Sequence, residues 1–270
     1  MRSLFWLRVA AALYSLGLLQ TLLTLFRRGE NLAALARTAF SIGVVFHFVS
    51  LVERGFAIGH FPTSSVYESL SLCAYFLALT YLVIAKWYSF PSLSFVAFPI
   101  VFLLTAFAST EMPTAGWTDE GLRNAWLIAH ILLVTCGYAA IVVTAASAVF
   151  YLLQERHLKA KTVGGLFSNL PPLATLDSLT SKTMAIGFVL MTLGFATGWA
   201  WAFIESGSRW LSEPKVHISL LTWLFYLLIM YLRVSSGWRG RRAAFLAVYL
   251  LVFSGLTWVS HSGLRPLLER

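Results

Sequence analysis

Runs of about twenty residues with no charged side chain recur along the whole chain, and nothing else in the sequence limits its fold so strongly. A helix needs roughly 20 mainly apolar residues to cross the hydrocarbon core of a bilayer. Such runs occupy residues 9–26, 69–85, 87–110, 124–154, 183–204, 216–232 and 243–264. An eighth, 32–52, carries Arg37 near its start, where a long side chain reaches the headgroups. In lipid each backbone N–H and C=O must be satisfied locally, and helices do this within one segment. The expected fold is therefore all-α: a polytopic membrane helical bundle of eight transmembrane helices, forming a single integral membrane domain over 1–270. Composition agrees, because 59% of residues are apolar and 11% charged, against about 45–50% and about 25% in soluble domains. The first run is too long for the apolar core of a signal peptide, and Arg27-Arg28-Gly29-Glu30 separates it from the cleavage-like Ala34-Leu35-Ala36.

The charges assign an orientation. The net charge is +9, which on a soluble chain would raise the question of nucleic acid. Here the cations sort by side instead. Arg27, Arg28, Arg37, Lys86, Arg156, Lys159, Lys161, Lys182, Arg233, Arg239, Arg241 and Arg242 fall on one side, with Glu30, Glu155 and Asp177. The other side holds eight cations and eight acids. By the positive-inside rule the cation-rich side is cytoplasmic, so both termini and the loops 53–68, 111–123 and 205–215 are expected outside. Outside the cytoplasmic loops no basic patch is interleaved with aromatics, so no nucleic-acid partner is expected. Cys73 and Cys136 sit singly in apolar runs, without the pairing of a disulfide framework, a zinc site or a dithiol couple.

With that orientation the histidines become informative. His47, His60, His130, His217 and His261 fall towards the outer side, and only His157 is cytoplasmic. The outer ends are also rich in tryptophan: Trp199, Trp201 and Trp210 flank one loop, Trp126 precedes His130 by four residues and Trp258 precedes His261 by three. Spacings of three and four place such pairs on one helix face. Two imidazoles can close the axial positions of a haem iron. Indole faces pack on a macrocycle, and Arg123, Arg209 and Lys215 can pair with its two propionates. The plainer reading is an interfacial aromatic belt with histidines bonded to backbone and headgroups. Composition alone leaves both readings open.

Four stretches resemble the cytochrome c assembly family of haem-handling membrane proteins (CcsA-type, with the related HemX-like proteins), across about 60–264. The first is Gly59-His60-Phe61-Pro62-Thr63-Ser64-Ser65-Val66-Tyr67-Glu68-Ser69-Leu70. The second is Ala125-Trp126-Leu127-Ile128-Ala129-His130 with Cys136-Gly137-Tyr138-Ala139. The third runs from Gly187 through Gly194, Gly198, Trp201, Trp210 and Glu213-Pro214-Lys215 to Leu221-Thr222-Trp223-Leu224. The fourth is Trp238-Arg239-Gly240 with His261-Ser262. The resemblance implies that His130 and His261 ligate the iron of a transient b-type haem. Trp201 and Trp210 belong to the tryptophan-rich loop that presents it, with Trp126, His60 and His217 as further contacts. It also implies a second assembly subunit and apocytochrome c as partners in the lipid bilayer, on the outward face of a plasma (inner) membrane.

The chain departs from the family pattern at several points. Ser206, Ser212 and Ile218 stand where the family carries tryptophan, and Tyr231 aligns with its intramembrane haem histidine. A phenolate can ligate haem iron, but Tyr231 near the inner interface is more simply a belt residue. The thinned motif and the segment Gln154-Glu155-Arg156-His157-Leu158-Lys159 are closer to the HemX-like branch. That branch implies an alternative: regulation of tetrapyrrole synthesis through contact with a cytoplasmic pathway enzyme. Whether the chain is a complete enzyme or a haem-handling component stays open. Glu68 reads either as a family site residue or as an acid in a helix first turn. A transporter is disfavoured, since no internal repeat or intramembrane acidic pair accompanies Gly187, Gly194 and Gly198.

Overall fold

The computed structural model describes residues 2–26, 30–63, 65–88, 90–110, 125–161 and 170–261, the side chains at 24–26, 30–33, 91 and 261 excepted. Eight α-helices and no strands occur among them: α1 (Arg2–Phe26), α2 (Glu30–Ile58), α3 (Val66–Trp87), α4 (Ser94–Ala108), α5 (Ala125–Ala160), α6 (Leu173–Ser206), α7 (Pro214–Val234) and α8 (Arg241–His261). Seven are long and apolar enough to span a membrane, and α4 is a shorter apolar helix. The chain is a polytopic helical membrane protein, as its hydropathy requires. Its contacts gather into two compact units, 1–123 and 124–270, and each is described by itself.

In the first unit α1 packs on α2 and α4, and α3 on α4. Four aromatic rings knot its centre. Phe40 stacks on Phe98 at 4.3 Å, while Tyr81 meets both edge-on and Tyr14 leans on Phe40 at 4.9 Å. All four are buried to within 2% of full burial. Two glycines let the helices close over these rings: a Cβ at Gly43 would lie 2.8 Å from the Tyr14 ring, and one at Gly17 would lie 3.0 Å from Phe98.

The uninterrupted fourth run of the sequence, 87–110, is not one helix. Tyr88 is extended (φ −127°, ψ 130°), a 3₁₀ turn covers Pro91–Leu93, and α4 starts at Ser94. Proline disfavours helical backbone in the residue before it and has no N–H to donate, so the helix stops and restarts around Pro91. The 15 residues of α4 rise about 22 Å, short of the ~30 Å core.

In the second unit the helices alternate in direction, and contacts along their lengths show it. His130 and Thr144 on α5 meet Gly194 and Thr183 on α6. Trp223 and Arg233 on α7 meet Thr192 and Asp177 on α6. Thr222 on α7 meets Thr257 on α8. Glycines again set the closest approaches: a Cβ at Gly194 would fall 2.7 Å from Val134, and one at Gly187 would fall 2.6 Å from the Tyr226 hydroxyl, which donates to the Met184 carbonyl.

One end of this unit is tied by a buried ion pair. Arg233 donates from Nη2 to the Asp177 carboxylate and carbonyl, both at 3.0 Å, and from Nε to Ser181 Oγ at 2.9 Å. The same carboxylate oxygen accepts the Gly240 N–H at 3.1 Å, which fixes the turn between α7 and α8. Gly240 holds φ +66°, in the left-handed region, and a Cβ there would lie 2.8 Å from the Tyr151 hydroxyl. Arg233 counts in the sequence as one of the loop cations, yet only 8% of it is exposed.

Gly43→Ala is expected to lower the thermal stability of the detergent-solubilised protein by about 1–3 kcal/mol, because the Tyr14 ring has nowhere to go. Gly255, with nothing within 4 Å of its added Cβ, supplies the contrast. Gly255→Ala should leave the melting temperature unchanged or raise it, since alanine is the better helix former.

Candidate functional site

His130 lies in the second turn of α5 and packs against α6 where α6 has no side chains. An added Cβ at Gly198 would sit 2.5 Å from the imidazole Nδ1, and Gly194 one turn away offers its carbonyl to that nitrogen at 2.6 Å. A carbonyl oxygen only accepts, so Nδ1 carries a proton in this contact. A backbone carbonyl behind one ring nitrogen is the usual way a protein orients a metal-binding histidine and fixes its tautomer.

His261 ends α8, and its side chain lies outside the described residues. Its backbone level follows from the register. Gly240 and the Tyr151 hydroxyl meet at the opposite end of the unit. His130 lies 21 residues before Tyr151, and His261 lies 21 residues after Gly240. At 1.5 Å per residue both climb about 31 Å from that contact. The two histidine backbones therefore stand at the same end of the unit, opposite that contact.

The tryptophans divide between two faces of α6. Trp201 is one turn beyond Gly198 and shares the face that meets α5. Trp210, in the 3₁₀ turn Arg209–Ser212, packs instead on Trp199, with ring centroids 5.3 Å apart. Trp199 contacts Phe195 at 4.6 Å, Phe195 stacks on Trp223 at 5.8 Å, and Trp223 stacks on Phe188. A continuous aromatic file thus runs down the α6–α7 seam, anchored where the Trp223 indole donates to Thr192 Oγ1 at 3.0 Å. The Trp210 Nε1–H is buried and has no acceptor among the described residues.

The remaining candidates separate. His217 is exposed in the first turn of α7, and its Nδ1 donates to the Glu213 carbonyl at 3.1 Å. Trp126 is 48% exposed, one turn before His130. Lys215 pairs loosely with Glu213 at 3.4 Å on the surface, an interaction of small energetic weight. Arg123 lies outside the described residues. His60 belongs to the first unit, where its Nδ1 donates to the Phe61 carbonyl at 3.0 Å. Glu68 does not extend into solvent: it is 6% exposed and takes the Arg54 Nε at 2.8 Å, with Ser65 capping the same turn.

His47 is fully buried, held by Ser71 Oγ at 2.8 Å on one nitrogen and by the Tyr14 hydroxyl at 3.3 Å on the other. Both ring nitrogens are bonded inside the protein, so it is a packing node of the first unit. Sequence reasoning passed over the members of the aromatic file below Trp199. Their signal was present as aromatic pairs at spacings of three and four, Phe195 with Trp199 on α6 and Trp223 with Tyr226 on α7.

Helical spans define a multi-pass membrane protein, and this site sets an imidazole against bare helix backbone in a four-helix unit. A family model described as Cytochrome C assembly protein matches residues 63–262. The cytochrome c biogenesis protein CcsA of Prochlorococcus marinus subsp. pastoris is 32% identical over 243 residues, covering 80% of this chain and 77% of the relative. The CcsA protein of Synechococcus sp. strain CC9605 is 30% identical over 255 residues, covering 85% and 84%. The chain belongs to the cytochrome c assembly family. Its role lies in cytochrome c biogenesis.

Gly198→Ala is expected to push the His130 ring off the Gly194 carbonyl. Nitrogen-15 spectra of histidine-labelled protein should then lose the Nδ1-protonated signal, identified by its absence in His130→Gln.

Proposed function

We propose that the second unit holds haem at its outer face, with His130 and His261 as axial ligands, and passes it towards apocytochrome c. The observation that carries this reading is the Nδ1–H of His130 bonded to the Gly194 carbonyl at 2.6 Å, the kind of backbone contact that orients a metal-binding histidine. The place of both histidines at one end of the unit supports the pairing, as does their inclusion in the matched stretch 63–262. Haem brings the iron and two vinyl groups; the chain's own part is to orient, stack and shield.

Trp201 and Trp210 supply flat apolar surface, and the acceptor-less Trp210 indole N–H suits a propionate oxygen. Trp126 and His217 are peripheral contacts in this reading, with Arg209 and Lys215 as the nearby cations. Haem is a transient, b-type cargo held by coordination alone. The outer face is extracytoplasmic at a plasma membrane, because the cation-rich loops mark the cytoplasmic side. A second assembly subunit completes the system. Tyr231 is 60% exposed on α7, which suits an interfacial belt better than an iron ligand.

Protein purified from membranes and supplied with haem should show a bis-imidazole spectrum. His130→Ala and His261→Ala should each abolish it, and Gly198→Ala should weaken haem affinity by about 10–100-fold through loss of the oriented ring. A protein that stays colourless with haem overturns the reading, as does an unchanged spectrum in both histidine variants.

A further inference from the structure

A cavity of about 450 Å³ lies between α1 and α2 in the first unit, lined by Arg2, Phe5, Trp6 and Glu53. Arg2 and Glu53 precede the stretch shared with the family model, and the haem reading uses neither. Its walls are held firmly. Trp6 stacks flat on Phe46 at 5.3 Å with an 8° interplanar angle, and Phe5 meets Trp6 edge-on at 5.1 Å. Ser50 Oγ donates to the Ser3 carbonyl at 2.7 Å, pinning α1 to α2 at this level.

The chemistry inside is zwitterionic. Glu53 Oε2 is buried and has no hydrogen-bond donor among the described residues. Its neighbour Arg54 directs Nε to Glu68. No ion pair joins Arg2 to Glu53 among the described residues, so the cavity presents a guanidinium and a carboxylate separately. A buried carboxylate oxygen without a donor is destabilising by itself. An interfacial aromatic belt accounts for Phe5 and Trp6 but leaves Glu53 unexplained. Arg2 opens α1 and Glu53 lies near the end of α2, which sets the cavity at headgroup depth.

We propose that this cavity binds a phospholipid whose headgroup ends in a primary ammonium, of the phosphatidylethanolamine type. Its phosphate pairs with Arg2, its ammonium N–H groups donate to Glu53 Oε2, and its glycerol and upper acyl chain lie along Phe5 and Trp6. The donor requirement selects among lipids. A trimethylammonium headgroup has the charge but no N–H, and a phosphatidylglycerol headgroup has hydroxyl donors but no positive charge to meet Glu53.

The test is native mass spectrometry of the full chain, delipidated in detergent and titrated with phosphatidylethanolamine, phosphatidylcholine and phosphatidylglycerol of identical acyl chains. One phosphatidylethanolamine should bind roughly tenfold more tightly than either other lipid, the difference expected of one charge-assisted hydrogen bond. Glu53→Gln should erase the preference over phosphatidylcholine. The exposed Arg2→Gln should weaken both lipids alike while leaving their ratio intact. His130→Ala should keep the preference, which separates this site from haem binding. Equal affinity for the three lipids in the unaltered protein overturns the proposal, as does a preference that survives Glu53→Gln.

Discussion

The contact on which the second unit's chemistry depends is the near-touching of two helix backbones. Where α6 presents Gly194 and Gly198, α5 can bring an imidazole directly against main chain. In lipid, close approach of this kind gains van der Waals contact that bulkier residues would prevent. It also turns a helix carbonyl into a hydrogen-bond acceptor for a side chain of the neighbouring helix. The orientation of His130 and the proton on its Nδ1 both follow from that missing pair of side chains. Gly187 does the same lower down for the Tyr226 hydroxyl.

Many polar groups inside the bundle find a partner within the protein. His47 bridges Tyr14 and Ser71, Thr144 donates to Thr183, and Arg233 with Asp177 closes the turn between α7 and α8. Leaving any of these in hydrocarbon would cost several kcal/mol. The hydroxyls of Thr105, Ser147 and Ser254 and Nη1 of Arg233 have no partner among the described residues. Glu53 Oε2 and the Trp210 indole N–H are buried atoms without partners among the described residues, and each borders a place where a small molecule is proposed to sit.

Much of this was legible from residue order. Seven of the apolar runs return within single spanning helices, some of which begin up to ten residues earlier, as α6 does at Leu173, because charge-free length marks the span and not the whole helix. The run 87–110 was misleading, since hydropathy does not register that Pro91 halts a helix. His130 could be selected by its place among outer-side aromatics. His47, placed on the same outer side by the sequence, is fully enclosed, since helix depth says nothing about which neighbour a ring faces. Trp201 and Trp210 looked like one platform, but residues two apart on a helix point to different sides. Trp199, not Trp201, receives Trp210.

The sequence by itself determined the solvent in which this protein folds, the number of its helices, and the set of imidazoles and indoles available at one end. Those properties are local: they depend on composition within each twenty-residue window. Only the tertiary structure decided where several helices begin and end, that Nδ1 of His130 meets the Gly194 carbonyl, and that Arg233 is enclosed while Trp210 joins an aromatic file. Each of these depends on a neighbouring helix, and the register between helices is set by glycine contacts and paired polar groups scattered across distant segments.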